Sequence, residues 1–515
     1  MKKAFVNSLF SNLLLDLSQG KTNTDDVLKK ISAVIPDAEA MPFLVKSTQR
    51  VCCGKMTAAQ RLEELRKGGF NIFNVGEENG VLVDFLTDSG TGSMSDEQWA
   101  ALIKGSEWYA GAKSFRVFQE AFKEIFGDDF EIIPAHQGRS AESILLEALK
   151  QSGLVEQGKK VVFNAAFDTT AGWVEQVTGF LPVNLYCPEM ELPLSSEHPF
   201  KGNLDVTRLE ERIAQKDVGA VFLTITNNTG GGQSVSLQNI RGVSALCRKN
   251  SLPLFFDACR FAENAFFIQK HEHPEMTIRE IVREMFCYAD GATFSAKKDG
   301  KANIGGAILI RKGLFVVTQY AKILTIAREG FVSYGGLAGR DLEAVAQGIR
   351  ETTTEDYLKQ RIGQVQYLHS LLDLAGIPLL KPCGGHAVYL DARSFLPQVP
   401  QNEYRGLTLS LVLFAKYGIR SCEVGDFMHG KKDEKGALLQ PAKNDFLRLA
   451  IPRLTYSSEH MLYTASCLSE FNSIKEKITN GMRVKENFVN NGFDHFFTRF
   501  EPINEENFNE AVLGK

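Results

Sequence analysis

The chain has no basic excess, no long apolar run and no cysteine framework, and each lack closes off a class of function. Its 515 residues carry 58 Lys and Arg against 62 Asp and Glu, a formal charge of -4. The clustered cations that displace counterions from nucleic acid or hold to an anionic membrane surface are therefore missing. No apolar stretch approaches the ~20 residues of a membrane span. Nine cysteines form neither a CxxC pair nor a regular framework, which reads as reduced thiols in a cytosol. Adjacent Cys52 and Cys53 have no partner pair at metal spacing and are expected to be buried. A small-x-small cleavage site is lacking after the opening "MKKAFVNSLFSNLLLDLSQGK", whose apolar run is broken by Asn7, Ser8, Ser11, Asn12 and Asp16. Phe5, Leu9, Leu13 and Leu17 recur there every four residues and predict an amphipathic helix. Repeats and low-complexity tracts are absent too, and 44% hydrophobic with 23% charged residues is an ordinary globular composition.

Between about residues 130 and 310, short β-rich runs alternate with helical ones. "KKVVFNAAF", "VGAVFLTITNN", "LPLFFDACR", "GATFSA" and "GGAILI" are apolar on both faces and predict buried strands. Between two of them Ile240, Val243, Leu246 and Cys247 recur at helical spacing over 236–250. Strand, helix, strand at this pitch implies a parallel sheet, whose ligands sit beyond the carboxyl ends of the strands. Asn227, Asn228, Asp257, Arg260, Ser295, Lys297 and Lys298 fall at those ends. Past about 350, helical "YLKQRIGQVQYLHSLLDLAG" and strand-like "HAVYLDA" and "DFLRLAIPR" predict a smaller α+β domain, and "NEENFNEAVLGK" reads as a loose tail. The expected boundaries are an N-terminal extension over 1–45, the first part of the small domain over 46–95, a large domain over 96–350 and the rest of the small domain over 351–515.

Three stretches carry groups that suit one cofactor. In "PAHQGRSAESILLEAL" a Gln-Gly-Arg turn leads into a helix with Ser140 as candidate N-cap. Free N–H groups at a helix start, with the Arg139 guanidinium, suit a phosphate dianion. Asp257 closes an apolar strand and needs a cationic partner there, either Arg260 or the protonated nitrogen of a pyridinium ring. In "FSAKKDGKANIGGAI" Lys297 and Lys298 stand side by side. On an extended segment successive side chains point to opposite sides, so one serves the site and the other bonds elsewhere. A lysine that forms a Schiff base, an acid that keeps a pyridine nitrogen protonated and a helix start that binds phosphate are what pyridoxal phosphate requires of a protein. His271 and His273 in "KHEHPE" read as a solvated loop, and His386 as a structural residue at a tight turn.

From about Gln60 to Phe500 the chain resembles the tryptophanase and tyrosine phenol-lyase family, the fold-type-I pyridoxal-phosphate β-eliminating lyases. "DFLTDSGTGSMSD", "HQGRSAE", "FDTT", "ITNNTGGGQSVSLQN", "DACRFAENAFFI", "YADGATFSAKKD", "NIGG", "EGFVSYGGLAGR", "GGHAVYLDA" and "IPRLTY" carry the likeness, in order. The resemblance implies an α/β fold: a large, pyridoxal-phosphate transferase-like domain with a mostly parallel sheet, plus a smaller α+β domain. It implies Lys298 as the Schiff-base lysine and Lys297 on the other side, near the phosphate. Gln137, Gly138, Arg139 and Ser295 would hold that phosphate, Phe167 would stack on the ring, and Asp257 would contact its nitrogen. Asn228 and Arg260 would bond the ring hydroxyl. Arg453, with Ser89 and Thr87, would bind the substrate carboxylate, a task suited to a guanidinium. Tyr109 would be the acid for the leaving group, approached by Tyr334 from a neighbouring subunit. A potassium ion would take Glu107 and the carbonyl oxygens of Gly90 and Asn303.

The implied activity is β-elimination from an amino acid by a cytosolic homotetramer, giving pyruvate and ammonia. Asp168 and Val424 follow the tryptophanase pattern, because an apolar Val424 cannot donate to a phenol oxygen. Phe496 follows the phenol-lyase pattern and displaces His495 by one position, while Ala171, Gly172 and Trp173 depart from tryptophanases after "FDTT". Indole is the favoured leaving group. Phenol, or the substituent of cysteine or serine, is the alternative, ahead of an aminotransferase or a non-catalytic relative.

Overall fold

Alternation along the strands, not strand composition alone, builds the larger unit. The computed structural model describes residues 19, 23, 26, 56–166, 168–487 and 494–514. The helix expected over residues 5–17 and the Cys52–Cys53 pair lie outside them. Strands β1 (Phe130–Ala135), β2 (Lys160–Phe163), β3 (Leu181–Asn184), β4 (Val218–Thr224), β5 (Leu254–Asp257), β6 (Gly291–Ser295) and β7 (Gly306–Arg311) form one sheet in the order β1-β7-β6-β5-β4-β2-β3. Pairs β2/β3, β2/β4, β4/β5 and β5/β6 are parallel. Both pairs made by β7 are antiparallel, so "GGAILI" closes the sheet in the opposite sense to its neighbours.

Successive strand residues face opposite sides of a sheet. Val221, Leu223, Phe256, Phe294 and Leu309 thus enter one core, while Ala220, Phe222, Phe255, Ile308 and Ile310 enter another. On the second face Phe222 lies between Phe163, 5.6 Å away, and Phe255, 5.2 Å away, centroid to centroid. Helices cover both faces, which is why these runs are apolar throughout. Those used below are α1 (Asp96–Ile103), α2 (Gly138–Gln151), α3 (Asp168–Trp173), α4 (Leu237–Lys249), α5 (Phe261–His271), α6 (Phe315–Arg328) and α7 (Gly339–Thr352). α4 fills the predicted 236–250 stretch, its start capped by Ser236, whose hydroxyl accepts the Asn239 N–H.

This larger unit spans 88–362 and takes back 452–455; the remaining described residues form a second unit. The division falls after residues 87 and 362, where 95 and 350 were expected. In the second unit Cys422–Val424, Phe446–Ala450 and Ala387–Asp391 form an antiparallel sheet in that order. The closing segment is not a loose tail. Glu505–Leu513 is a helix capped by Asn504, and it buries Phe508, Ala511 and Val512. The Phe508 ring meets Phe70 edge-on at 5.7 Å. Apolar residues at 508, 511 and 512 follow helical spacing, and the polar residues between them hid it. No helix among the described residues is long and apolar enough to cross a membrane.

The second unit also buries two acids together. A Cβ at Gly425 would strike Asp445 Oδ1 and stand 2.9 Å from Glu423 Oε1. Burial, then Asp445, pushes Glu423 up to about 8. Burial, then Asp426, pushes Asp445 up to about 7. Their protonated forms are the ones the fold favours, so stability is full below the unfolded carboxylate range and falls as pH rises through 7 and 8. Urea unfolding of this unit is expected to lose on the order of 4 kcal/mol between pH 6 and pH 9, and Glu423→Gln is expected to remove the larger part of that loss and leave the share of Asp445. Phe508→Ala is expected to cost about 3–5 kcal/mol in the same assay; a loss under 1 kcal/mol would return the segment to the status of a tail.

Candidate functional site

Parallel register brings the polar strand ends into one row. Thr224 of β4 pairs with Asp257 of β5, which pairs with Thr293 of β6. Asp257 therefore sits centrally in the sheet, half-buried, with its Oδ1 accepting the Cys259 N–H at 3.3 Å. Asn228 lies in the turn after β4, and Ser295 ends β6 in a buried position.

The start of α2 is pressed against the end of β6. Gln137 is the N-cap and forms a parallel bridge to Gly305. A Cβ on Gly138 would lie 2.5 Å from Ser295 Cβ, so only glycine lets the first turn approach so closely. Its N–H groups have no intrahelical acceptor. Ser140 is not the N-cap; its hydroxyl donates to Glu329 Oε1. Glu329 Oε2 accepts the His136 backbone N–H at 3.0 Å and also meets the His136 ring. One carboxylate thus braces both sides of the Gln137–Gly138–Arg139 turn.

Lys297 and Lys298 occupy a turn, not an extended segment, so strand alternation is not what separates them. The Lys298 N–H returns to Ser295 O at 3.3 Å, and the Lys297 carbonyl accepts the Gly90 N–H at 2.8 Å. Gly90 has φ +77, and a Cβ there would run into Lys297 Cε. Desolvation lowers the Lys297 ammonium first, and the nearby charges of Lys298 and Arg139 lower it further. Three cations thus converge beside the α2 start. Glu142, one turn into α2, accepts a hydrogen bond from Thr170 of α3 at 2.7 Å. Burial first and Asp257 second push it up to about 7, against the pull of Lys298 and Arg139.

Arg260 and Arg453 are wholly buried in a network of ions. Arg260 does not serve Asp257. Its Nε and Nη2 donate to Asp88 at 3.1 and 2.7 Å. Arg453 Nη1 donates to Asp88 at 2.9 Å, and its Nη2 donates to Glu263 at 2.5 Å and Asp299 at 2.8 Å. Arg361 completes the set through Glu263 at 3.0 Å. These carboxylates raise the Arg453 guanidinium against the effect of burial. Arg453 is only 1% exposed, so it stands inside this network where an open carboxylate-binding face was expected.

Tyr109 is 70% exposed. It stacks on Phe331 at 5.2 Å and meets Tyr334 at 5.8 Å, both within the same chain, where Tyr334 was expected from a neighbour. Glu107 accepts the Gly339 N–H at 2.8 Å at the start of α7. Gly90 and Asn303 are adjacent, the Asn303 amide donating to Gly90 O at 2.9 Å. In the second unit Val424 is buried in its strand. His495 and Phe496 have rings 3.9 Å apart, and His495 lines a cavity of about 20 Å³ with Asn71, Phe73, Ser410 and Glu423. Thr87 is half-buried, as is Ser89 of the larger unit. Phe167 and the Asp168 side chain lie outside the described residues.

Asp88, Glu142, Glu263, Asp299 and Glu329 were missed from the sequence. Each lies in or beside a matched motif, and a carboxylate in every such motif was the signal. The site suits pyridoxal phosphate: convergent cations at a helix start that only glycine permits, and a carboxylate at the neighbouring strand end.

The sequence profile of the family described as "Beta-eliminating lyase" matches residues 84–467. A tryptophanase of Hyphomonas neptunium is 42% identical over 466 residues, covering 90% of this chain and 99% of that protein. A tyrosine phenol-lyase of Fusobacterium nucleatum is 40% identical, covering 86% of this chain and 94% of that protein. Among solved structures, an aspartate aminotransferase from Thermotoga maritima shares the fold with a TM-score of 0.54 at 13% identity, covering 81% of this chain and 97% of that one. A fold-type-I, pyridoxal-phosphate-dependent scaffold and a profile that spans both units agree: the chain belongs to the β-eliminating lyase family.

Proposed function

We propose that the protein cleaves L-tryptophan to indole, pyruvate and ammonia. Its 42% identity to a tryptophanase along 99% of that protein carries this reading. Pyridoxal phosphate, when bound, supplies an aldehyde carbon for amines and a ring that takes up charge left at the α-carbon. Lys298 would anchor it and would take the α-proton on Nζ. Asp257 would hold a proton at the ring nitrogen, Phe167 would face the ring, and Asn228 and Arg260 would bond its hydroxyl. Gln137, Arg139, Ser295, Lys297 and the Gly138 N–H would bind the phosphate. Tyr109, beside Tyr334, delivers a proton to the departing group. Arg453 receives the substrate carboxylate with Ser89 and Thr87, which requires it to release a carboxylate it now holds.

Val424 offers no donor to a phenol oxygen and favours indole, as do Asp168 and the nearby occurrence of His495 in the sequence. Phe496 favours the second reading, elimination of phenol from tyrosine. Potassium would use the carbonyl oxygens of Gly90 and Asn303 together with Glu107. Exposed Phe315, Val316, Ile323 and Ile326 on α6 support a homotetramer, since apolar groups gathered on one helix call for a covering surface. A cytosolic setting fits the seven described cysteines, all free.

Purified protein with pyridoxal phosphate and potassium is expected to release indole and pyruvate in equal amounts from L-tryptophan. Lys298→Ala should lower that rate on the order of a thousandfold or more. Pyruvate from L-tyrosine or L-cysteine alone would keep the elimination and reject indole. Ile323→Asp with Ile326→Asp is expected to shift the sedimentation coefficient to a smaller species; an unchanged value removes α6 from any subunit interface.

A further inference from the structure

We infer that Glu329 is the positioning residue that joins the phosphate cradle to the proton donor of the leaving group: one buried carboxylate holds both the Gln137–Gly138–Arg139 turn and the loop on which Tyr109 rests. This rests on the readings of the α2 start as phosphate site and of Tyr109 as that donor. Glu329 follows directly on α6, and its side chain is only 4% exposed. On one side it meets three groups of the cradle. Ser140, in the first turn of α2, donates its hydroxyl to Oε1, while Oε2 accepts the His136 backbone N–H at 3.0 Å and meets the His136 ring. The His136 carbonyl in turn accepts the Gly305 N–H at 2.7 Å, so the entry to the turn is held at both backbone groups. Burial disfavours a charge here, and the hydrogen bonds of Ser140 and His136 nonetheless keep the Glu329 carboxyl below its usual range.

On the other side Glu329 opens the loop over 329–336. A Cβ on Gly330 would strike the Tyr334 ring, and one on Gly336 would stand 3.3 Å from Glu329 Oε2, so the loop folds back over its own carboxylate. The Tyr334 and Gly335 N–H groups close it on Phe331 O at 3.0 and 2.9 Å. Tyr109, in the segment that follows α1, meets this loop at three points. Its ring stacks on Phe331 and touches the Tyr334 ring edge-on, and its carbonyl accepts the Ser333 hydroxyl at 3.2 Å. Cradle and donor thus share one anchor. A carboxamide at 329 keeps the shape but has a single accepting oxygen where the cradle now uses two, so both halves loosen together.

The test reads both halves in Glu329→Gln. With cofactor-free full-length protein, binding followed by cofactor absorbance should weaken about tenfold for pyridoxal phosphate, the scale of one charge-assisted bond, and stay within about twofold for pyridoxal, which lacks the phosphate. At saturating pyridoxal phosphate, turnover of L-tryptophan or L-tyrosine, whichever is accepted, should fall about tenfold. β-Chloro-L-alanine, whose chloride departs without a proton, should be eliminated within about twofold of the parent rate. A merely structural residue would weaken both ligands and slow both substrates alike. That result, an unchanged variant, or discrimination in only one of the two arms overturns the junction. Two controls separate the premises. A parent that binds pyridoxal as tightly as pyridoxal phosphate rejects the phosphate site, and a Tyr109→Phe enzyme that treats the two substrates alike rejects the proton donor; either takes the proposal with it. Discrimination in Tyr109→Phe without discrimination in Glu329→Gln rejects the junction alone. Should Glu329→Gln fail to fold, Ser140→Ala, which removes one hydrogen bond from the same carboxylate, carries the same pattern at about threefold in each arm.

Discussion

A guanidinium shut away from water is stable only among carboxylates, and Arg453 has three. That requirement organises the larger unit. It draws together the segment opening at Asp88, the first turn of α5, the turn that carries the two lysines, and residues 452–455 from far along the chain. The returning strand of backbone is fixed as well, with the Ser93 N–H donating to Arg453 O at 2.9 Å. Gly92 lies so close that a Cβ there would stand 2.9 Å from the same oxygen. Breaking one partner out of a buried ion set costs about 3–5 kcal/mol because the others are left unmatched. The site inherits that stiffness: Asp299 is the residue next to Lys298, so the lysine turn is tied to the network through the chain itself.

The sheet supplies the complementary constraint. Two apolar cores fix its faces, which leaves only the strand ends for polar groups, and parallel pairing gathers those ends on one side. Lys297, Lys298 and Arg139 meet there beside the α2 start. Cations crowded in a partly desolvated place repel one another, and an anion relieves them all at once. The lowered Lys297 ammonium records that tension. The fold thus gathers these cations beside a helix start, where a phosphate answers them together.

Much of this was legible in the sequence. Strand runs, the α4 helix and the row of polar strand ends follow from period, β-branching and position. Motif likeness located Lys298, Asp257 and the Gln137–Arg139 turn. Three things were not legible, each for a physical reason. The sense of β7 depends on how the chain crosses the sheet, and a strand apolar on both faces reads the same in either direction. The Lys-Lys stretch reads as extended because its flanks are strands, while Gly300 and the close packing around Ala296 turn it. Arg260 was one of two candidates to answer Asp257, by nearness in sequence. The charge balance is instead settled with Asp88, 172 residues away, which no local pattern reveals.

The place of Arg453 in the chain also sets an order of events in synthesis. Asp88 and Arg453 are 365 residues apart, so at ribosomal speeds the arginine follows the aspartate by roughly 20 to 70 s. Until then Asp88, Glu263 and Asp299 stand in the forming interior without the guanidinium that all three share. The larger unit, although nearly all of it precedes residue 363, lacks its central guanidinium as it leaves the ribosome. Its ion network is complete only after most of the second unit has been made, which ties the completion of one to the synthesis of the other.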